Sequence, residues 1–183
     1  MGSSLIGNLA EYLKASGGAC GVPFDLTIEG IPGLGLSGLQ PLLDSNLRQD
    51  GQGFVVIHVG ANDIGKKNWS EDKWQKELKC ILAYIGAMYP KYKPVWSDML
   101  PRNKWRHGPS DVKDKKKKMK IQENCRKRLQ RRARQIFGEH CGTIVHHPSL
   151  QYNYDLLDID GVHLTQQGQA DFWGDFLNLL HNI

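Results

Sequence analysis

Apolar residues recur at helical spacing over Leu5 to Ala15 (Leu5, Ile6, Leu9, Ala10, Leu13), and Gly17-Gly18 then stops the predicted helix. Phe24 to Ile28 alternates like a strand. A glycine-rich stretch from Gly30 to Gly38 follows, and Leu39 to Leu47 reads as a short helix. Phe54-Val55-Val56-Ile57-His58-Val59 is a nearly continuous apolar run, suited to a strand buried on both faces of a parallel sheet. It ends in Gly60-Ala61-Asn62-Asp63. Ser70 fits an N-cap for a helix from Glu71 to Met88, with Trp74, Leu78, Ile81, Leu82 and Ile85 on its apolar face. Pro94 to Met99 predicts a strand closed by Pro101, and Arg102 to Asp111 a loop. Lys115 to Phe137 predicts a long helix whose apolar positions (Met119, Ile121, Leu129, Ala133, Ile136) are sparse. Thr143 to His147 is a last short strand. Thr165 caps a C-terminal helix running to about His181, with Phe172, Phe176, Leu179 and Leu180 on one face.

Strands alternating with helices predict an α/β fold, a parallel sheet covered on both faces. Ligands of such sheets bind at the carboxyl ends of the strands. Three polar or glycine-rich clusters fall there: Gly30 to Gly35, Gly60 to Asp63, and Asp158 to His163. A length of 183 residues favours one domain spanning the whole chain. Hydrophobic residues at 40% and charged residues at 23% exclude a disordered or collagenous chain. No apolar run is long enough to span a membrane, and Met1-Gly2-Ser3-Ser4 lacks the features of a secretory leader. Cys20, Cys80, Cys125 and Cys141 sit far apart with no CxxC pair, which argues against a zinc ribbon and a disulfide scaffold. The expectation is a reducing, intracellular, cytoplasmic setting.

The net charge of +5 conceals an asymmetry. Arg102 to Arg134 holds 15 Lys/Arg against 3 Asp/Glu, or +12, leaving 9 against 16, or −7, elsewhere. Arg102, Lys104, Arg106, Lys115, Lys116, Lys117 and Lys118 are candidates to track RNA or DNA phosphates or to meet anionic lipid headgroups. A solvated helix face is the plainer account. Trp105 among these cations fits base stacking or membrane insertion, and equally core packing. No RNA-recognition signature accompanies them.

Three short motifs carry candidate chemistry. In Asp160-Gly161-Val162-His163 a carboxylate three residues before a histidine can reach its Nδ1, fixing the tautomer and leaving Nε2 as a general base. Such a pair in a loop is often incidental. Asn62, just past the strongest strand, can donate amide hydrogens to an oxyanion, or simply form a turn. Ser4 sits at a helix N-terminus, where N–H groups favour developing negative charge, or where a serine only caps. His58 and His146-His147 have no Cys or carboxylate at metal-ligand spacing, so no metal is expected. Trp69, Trp74, Trp96 and Trp173 read as core or cleft walls. Leu34 and Leu36 fit either an acyl pocket or packing of the next helix.

Together the clusters resemble the SGNH (GDSL-type) hydrolase superfamily, in order along nearly the whole chain: GSSL, the glycines Gly30 to Gly35, GAND and DGVH. The likeness is closer still to the esterase-like domain in first open-reading-frame proteins of some vertebrate LINE-type retrotransposons, through VVIHVGANDIG, SDMLPRNKW and DIDGVHLTQQG. The resemblance implies a three-layer α/β/α, flavodoxin-like fold. It implies Ser4 as nucleophile, His163 as general base and Asp160 as the residue orienting it. The oxyanion hole would combine the Ser4 N–H, a glycine N–H (Gly33, with Gly30 the alternative) and the Asn62 side chain. The reaction would be hydrolysis of a small or lipid acyl ester, without cofactor. Two departures stand out. Ser3 replaces the first block's aspartate, and family members have a strand directly before the nucleophile, where this sequence has only Met1-Gly2-Ser3. The expectation is a missing first strand, an unpaired gap in the sheet and a Ser4 hanging from a fraying end. A non-catalytic module binding nucleic acid or anionic lipid through residues 102–134 is the alternative function.

Overall fold

The apolar run after Gln52 forms a strand, β1 (Gly53–Ile57), in a computed structural model that describes residues 1–17, 25–108 and 112–181. Gly18, Cys20, Phe24 and Asp111, which entered the sequence expectations, lie outside the described residues. β1 pairs in parallel with β2 (Tyr92–Ser97), and β2 with β3 (Thr143–Val145), in the order β1-β2-β3. Val56 stands opposite Val95, and Ser97 opposite Val145.

The two-residue period of the strands decides the layers. Val55, Ile57 and Trp96 face α2 (Leu39–Asn46), α3 (Glu71–Met88) and α4 (Lys115–Glu139) in one apolar cluster. Phe54, Val56, Val95 and Val145 face α1 (Ser4–Ala15) and α5 (Gln166–Leu180) in the other. A parallel sheet thus lies between two helical layers, as the alternating pattern predicts. Trp74 meets Trp96 edge to face at 6.0 Å, and both are buried, each such side chain contributing about 1.5–3 kcal/mol. Ser70 caps α3 by accepting from the Lys73 N–H, and Thr165 caps α5 by accepting from Gly168. Asp114, not foreseen as a cap, accepts from Lys116 and Lys117 and starts α4.

Two expectations about strands change. Residues 25–29 form no strand, and Gly30 alone bridges to Gly2. β2 begins at Tyr92, ahead of the expected Pro94. The expected gap is also partly closed. Gly2 bridges in parallel to both Gly30 and His58, so Met1–Ser3 act as a short piece of strand beside β1. Met1 N donates to the Val56 carbonyl at 2.7 Å, His58 N to Met1 O at 3.0 Å, and Ser3 N to His58 O at 3.3 Å. On the other side Gly2 N donates to Glu29 O, and Ile31 N to Gly2 O, both at 2.9 Å. Ser4 therefore follows a segment pinned on both edges. Behind Met1 the same interval opens into a cavity of about 820 Å³ between Phe54 and Ile28, walled by Leu9, Trp173 and Phe176. The pairing of Met1–Ser3 thus falls at the carboxyl end of β1, where the site lies.

Candidate active site

Ser4 is the first helical residue of α1, one position past Ser3, whose side chain makes no capping bond. Its Oγ is 2.9 Å from His163 Nε2 and so serves the imidazole rather than the helix. His163 Nδ1 lies 2.5 Å from Asp160 Oδ2. The carboxylate fixes the tautomer: Nδ1–H donates to Asp160, and Nε2 is left to accept from the serine hydroxyl. Burial pushes the Asp160 carboxyl up, but N–H donation from His163 and Val162 and the bond to the ring outweigh it and bring it down to about 2. Asp160 is therefore ionised at neutral pH.

Local sequence explains the turn that presents His163. Gly161 has φ +69°, and a Cβ there would stand 2.9 Å from Asn103 Cβ. Its carbonyl accepts from Asn103 N at 2.8 Å, tying the turn to the loop after β2. Asp158 N in turn donates to His163 O at 2.7 Å, closing the turn on itself. The residues α1, β1 and this turn bring together surround a cavity of about 470 Å³, lined by Ser4, Gly33, Asn62, Arg102, Trp105 and His163 among others.

Gly33 lines this cavity, whereas Gly30 is wedged against Gly7, where a Cβ would lie 2.0 Å from Gly7 N. Asn62 is held at both ends of its amide. Its Nδ2 donates to Leu34 O at 3.0 Å, and its Oδ1 accepts from Arg102 Nη1 at 2.9 Å. A guanidinium only donates and a carbonyl only accepts, so the amide orientation is determined. The neighbouring Asp63 accepts from Leu36 N at 3.0 Å and pairs with Lys66 at 2.9 Å. Gly35 permits this approach, since a Cβ there would be 1.9 Å from Asp63 Oδ1. Leu34 and Leu36 face the core with α2 and α3, not the cavity.

The basic segment divides in two. Arg102, Lys104 and Arg106 line the cavity beside Ser4. Lys115, Lys116 and Lys117 are exposed on the first turn of α4, and Lys118 is half-buried. Further along α4 three arginines are structural. Buried Arg126 pairs with Glu123 and also donates to Met99 O, Gln130 and Gln151, while Arg128 pairs with Glu71 and Arg134 with Asp98. Trp105 packs on the core with its ring 5.6 Å from the Arg102 guanidinium.

Sequence reading missed a second polar chain. His58 Nδ1 and His147 Nε2 each lie 2.8 Å from Ser97 Oγ, and His147 Nδ1 lies 2.9 Å from Asp175. These residues stand 39 to 50 positions apart in the serine–histidine contacts, so no local motif announces them. Ser97 and His147 are both fully enclosed, at 0% exposure, beside Phe172 and Phe176. A serine–histidine–aspartate series without access to solvent is a core network, which separates it from the one at Ser4. His146 is bonded to Asp98.

No protein-family model and no curated protein matches the chain by sequence. Solved structures do match it in shape. A GDSL-like lipase from Bacteroides thetaiotaomicron superposes with a TM-score of 0.70 at 15% identity, over 100% of this chain and 86% of that one. A lipase/acylhydrolase from Enterococcus faecalis gives 0.70 at 19% identity, over 98% and 92%. The acetylxylan esterase Axe2 from Geobacillus stearothermophilus gives 0.63 at 15%, over 96% and 78%. The chain has the fold of these GDSL/SGNH lipases and acyl esterases.

Proposed function

We propose that this protein is a serine esterase-type hydrolase acting on a small or lipid acyl ester through Ser4, His163 and Asp160. The observation carrying this reading is the unbroken series Ser4 Oγ, His163 Nε2, His163 Nδ1, Asp160 Oδ2, with steps of 2.9 Å and 2.5 Å, opening on a cavity. Ser4 Oγ attacks the ester carbonyl as His163 Nε2 takes its proton. His163 then returns that proton to the departing alcohol, and water releases the acyl group by the same steps. The developing oxyanion meets the Ser4 N–H, which has no carbonyl to bond in the first turn of α1, together with the Gly33 N–H and the Asn62 amide. Arg102 acts as a positioning residue that holds Asn62 by its oxygen. The likeness to GDSL lipases and acylhydrolases supports the reaction class, as does the resemblance to the retrotransposon esterase-like domain. The alternative, a catalytically silent module binding nucleic acid or lipid through 102–134, has Lys115, Lys116 and Lys117 exposed on α4, but Arg126, Arg128 and Arg134 of that segment are paired within the fold and no observation favours it over the hydrolase.

A fluorophosphonate probe followed by peptide mapping tests the reading. One adduct on Ser4, absent in Ser4→Ala and lost in His163→Ala, is the expected result. A chain that is folded by circular dichroism yet unlabelled would overturn it.

A further inference from the structure

The cations of this chain differ in what they face. On α4, Arg126, Arg128 and Arg134 each meet a carboxylate, Arg131 and Arg132 are exposed to solvent, and Arg48 meets Asp50. The loop after β2 differs. Among the described residues, Arg102 and Arg106 have no carboxylate partner, and Lys104 gives its ammonium only to the Ile159 carbonyl, at 3.3 Å. All three line the cavity that holds Ser4. Its one lining carboxylate, Asp160, is committed to His163 and two backbone N–H groups, and the fourth cation, Lys66, is committed to Asp63.

Arg102 is the most telling of the three. It is 6% exposed, its Nη1 is spent on a neutral amide, and its Nε is buried without an acceptor. Burial and the nearby Arg126 pull its pKa down to about 10, against the opposing pull of Asp160, and it remains charged at neutral pH. Burying a guanidinium without a counter-ion is costly, and such a charge at a low-dielectric wall focuses its field into the adjoining cleft. Arg106 lines the same cleft, its Nη1 3.8 Å from the position a Cβ on Gly33 would take. Among the described residues, three cations without carboxylate partners therefore line one cavity with Ser4: Arg102 beside Asn62, Arg106 beside Gly33, and Lys104 against the turn that carries His163.

We propose that the ester this site accepts is anionic, with a carboxylate or phosphate on its acyl or alcohol part that Arg106 and Lys104 bind while Arg102 draws it in. This rests on the reading of Ser4 as nucleophile and names the substrate class for it. No new bond chemistry is added: the anion is a spectator that the loop 102–106 recognises, and the ester cleaves as above. Arg106 and Lys104 set specificity, and Arg102 supplies the field.

The test uses the full chain and two near-isosteric pairs. In the acyl arm, mono-para-nitrophenyl adipate, whose carboxylate is too far along the chain to close a five-membered anhydride, is compared with para-nitrophenyl hexanoate. In the alcohol arm, para-acetoxybenzoate is compared with para-tolyl acetate. Each kcat/KM is divided by the ester's own hydroxide rate, at low and high salt. The expected result is a preference of about tenfold or more for the anion in at least one arm, since a charge-assisted contact is worth that much. The preference shrinks as salt rises, falls in Arg106→Gln, falls further with Lys104→Gln added, and is partly kept in Arg106→Lys. A ratio near or below one in both arms, or one that the double variant leaves alone, overturns the proposal. Fluorophosphonate labelling of Ser4 in the same samples separates the two readings. Labelling without anion preference removes the substrate class and leaves the hydrolase, whereas no labelling and no turnover of any ester removes both.

Discussion

Asn62 shows how a single side chain is prepared for a task. One amide hydrogen is given to Leu34 O and the oxygen is taken by Arg102, so the amide plane is fixed and, in the proposed mechanism, the remaining N–H serves the oxyanion without a search of rotamers. Asn62→Ala is expected to slow turnover of a neutral ester by about 100- to 1000-fold, read as kcat in steady-state assays. Arg102→Leu removes the clamp but not the amide. It is expected to lower kcat by about tenfold with a smaller change in KM, because a misplaced donor costs transition-state rather than ground-state binding. A loss in Arg102→Leu equal to that in Asn62→Ala would mean that the guanidinium does more than position. The sequence marks Asn62 because it stands directly after the strongest apolar run. Arg102 is 40 residues away from it, and nothing local couples the two. The Asp160–His163 pair lies at the other extreme of legibility. Both partners sit on one four-residue turn, and the glycine that makes the turn possible is between them.

At the scale of elements, α4 illustrates what counting charge cannot resolve. Its sequence reads as a solvated basic rod, yet one face carries Cys125, Leu129, Ala133, Ile136 and Phe137 into the core, and Arg126 goes with them. Glu123 lies one turn before Arg126 and neutralises it, an i, i+3 pair visible in the sequence only once the buried face is known. Removing Arg126 alone leaves Glu123 charged with little exposure. Arg126→Ala is expected to cost about 3–5 kcal/mol in urea unfolding, whereas Lys116→Ala, on the exposed first turn, stays within about 0.5 kcal/mol. Equal effects at the two positions would contradict the division of α4 into a buried and a solvated face. The strand at residues 25–28 fails for a related reason. Alternation makes a segment able to pair, but only Met1–Ser3 stand beside it, and pairing there stops at Gly30.

Across the whole molecule, the network missed in the sequence joins what the local motifs leave separate. His58 follows β1, Ser97 ends β2, His147 follows β3 and Asp175 lies on α5, so one run of hydrogen bonds ties three strand ends to a helix. His58 also holds the segment leading into Ser4 through its backbone, accepting from Ser3 N and donating to Met1 O. Two neutral rings satisfy all three contacts when His58 Nδ1–H donates to Ser97, Ser97 O–H to His147 Nε2, and His147 Nδ1–H to Asp175. Burial accordingly holds the His58 pKa well below the usual 6.5, reinforced by His147 and Arg102, and burial lowers His147 despite the pull of Asp175. The sign of the linkage follows. Above 6.5 both rings are neutral in the folded and the unfolded chain, and neither affects stability with pH. As pH falls through 6.5 the unfolded chain takes up protons that the folded one refuses, so stability falls. Urea midpoints measured from pH 8 to pH 5 are expected to drop toward acid. In His58→Asn an amide can still donate to Ser97 without titrating, so the drop is expected to be shallower. A variant whose midpoint tracks the parent's across the whole range would remove His58 from the acid response. Because His58 grips Ser3, the acid-weakened state is also expected to lose fluorophosphonate labelling of Ser4 before it loses its helical circular dichroism signal.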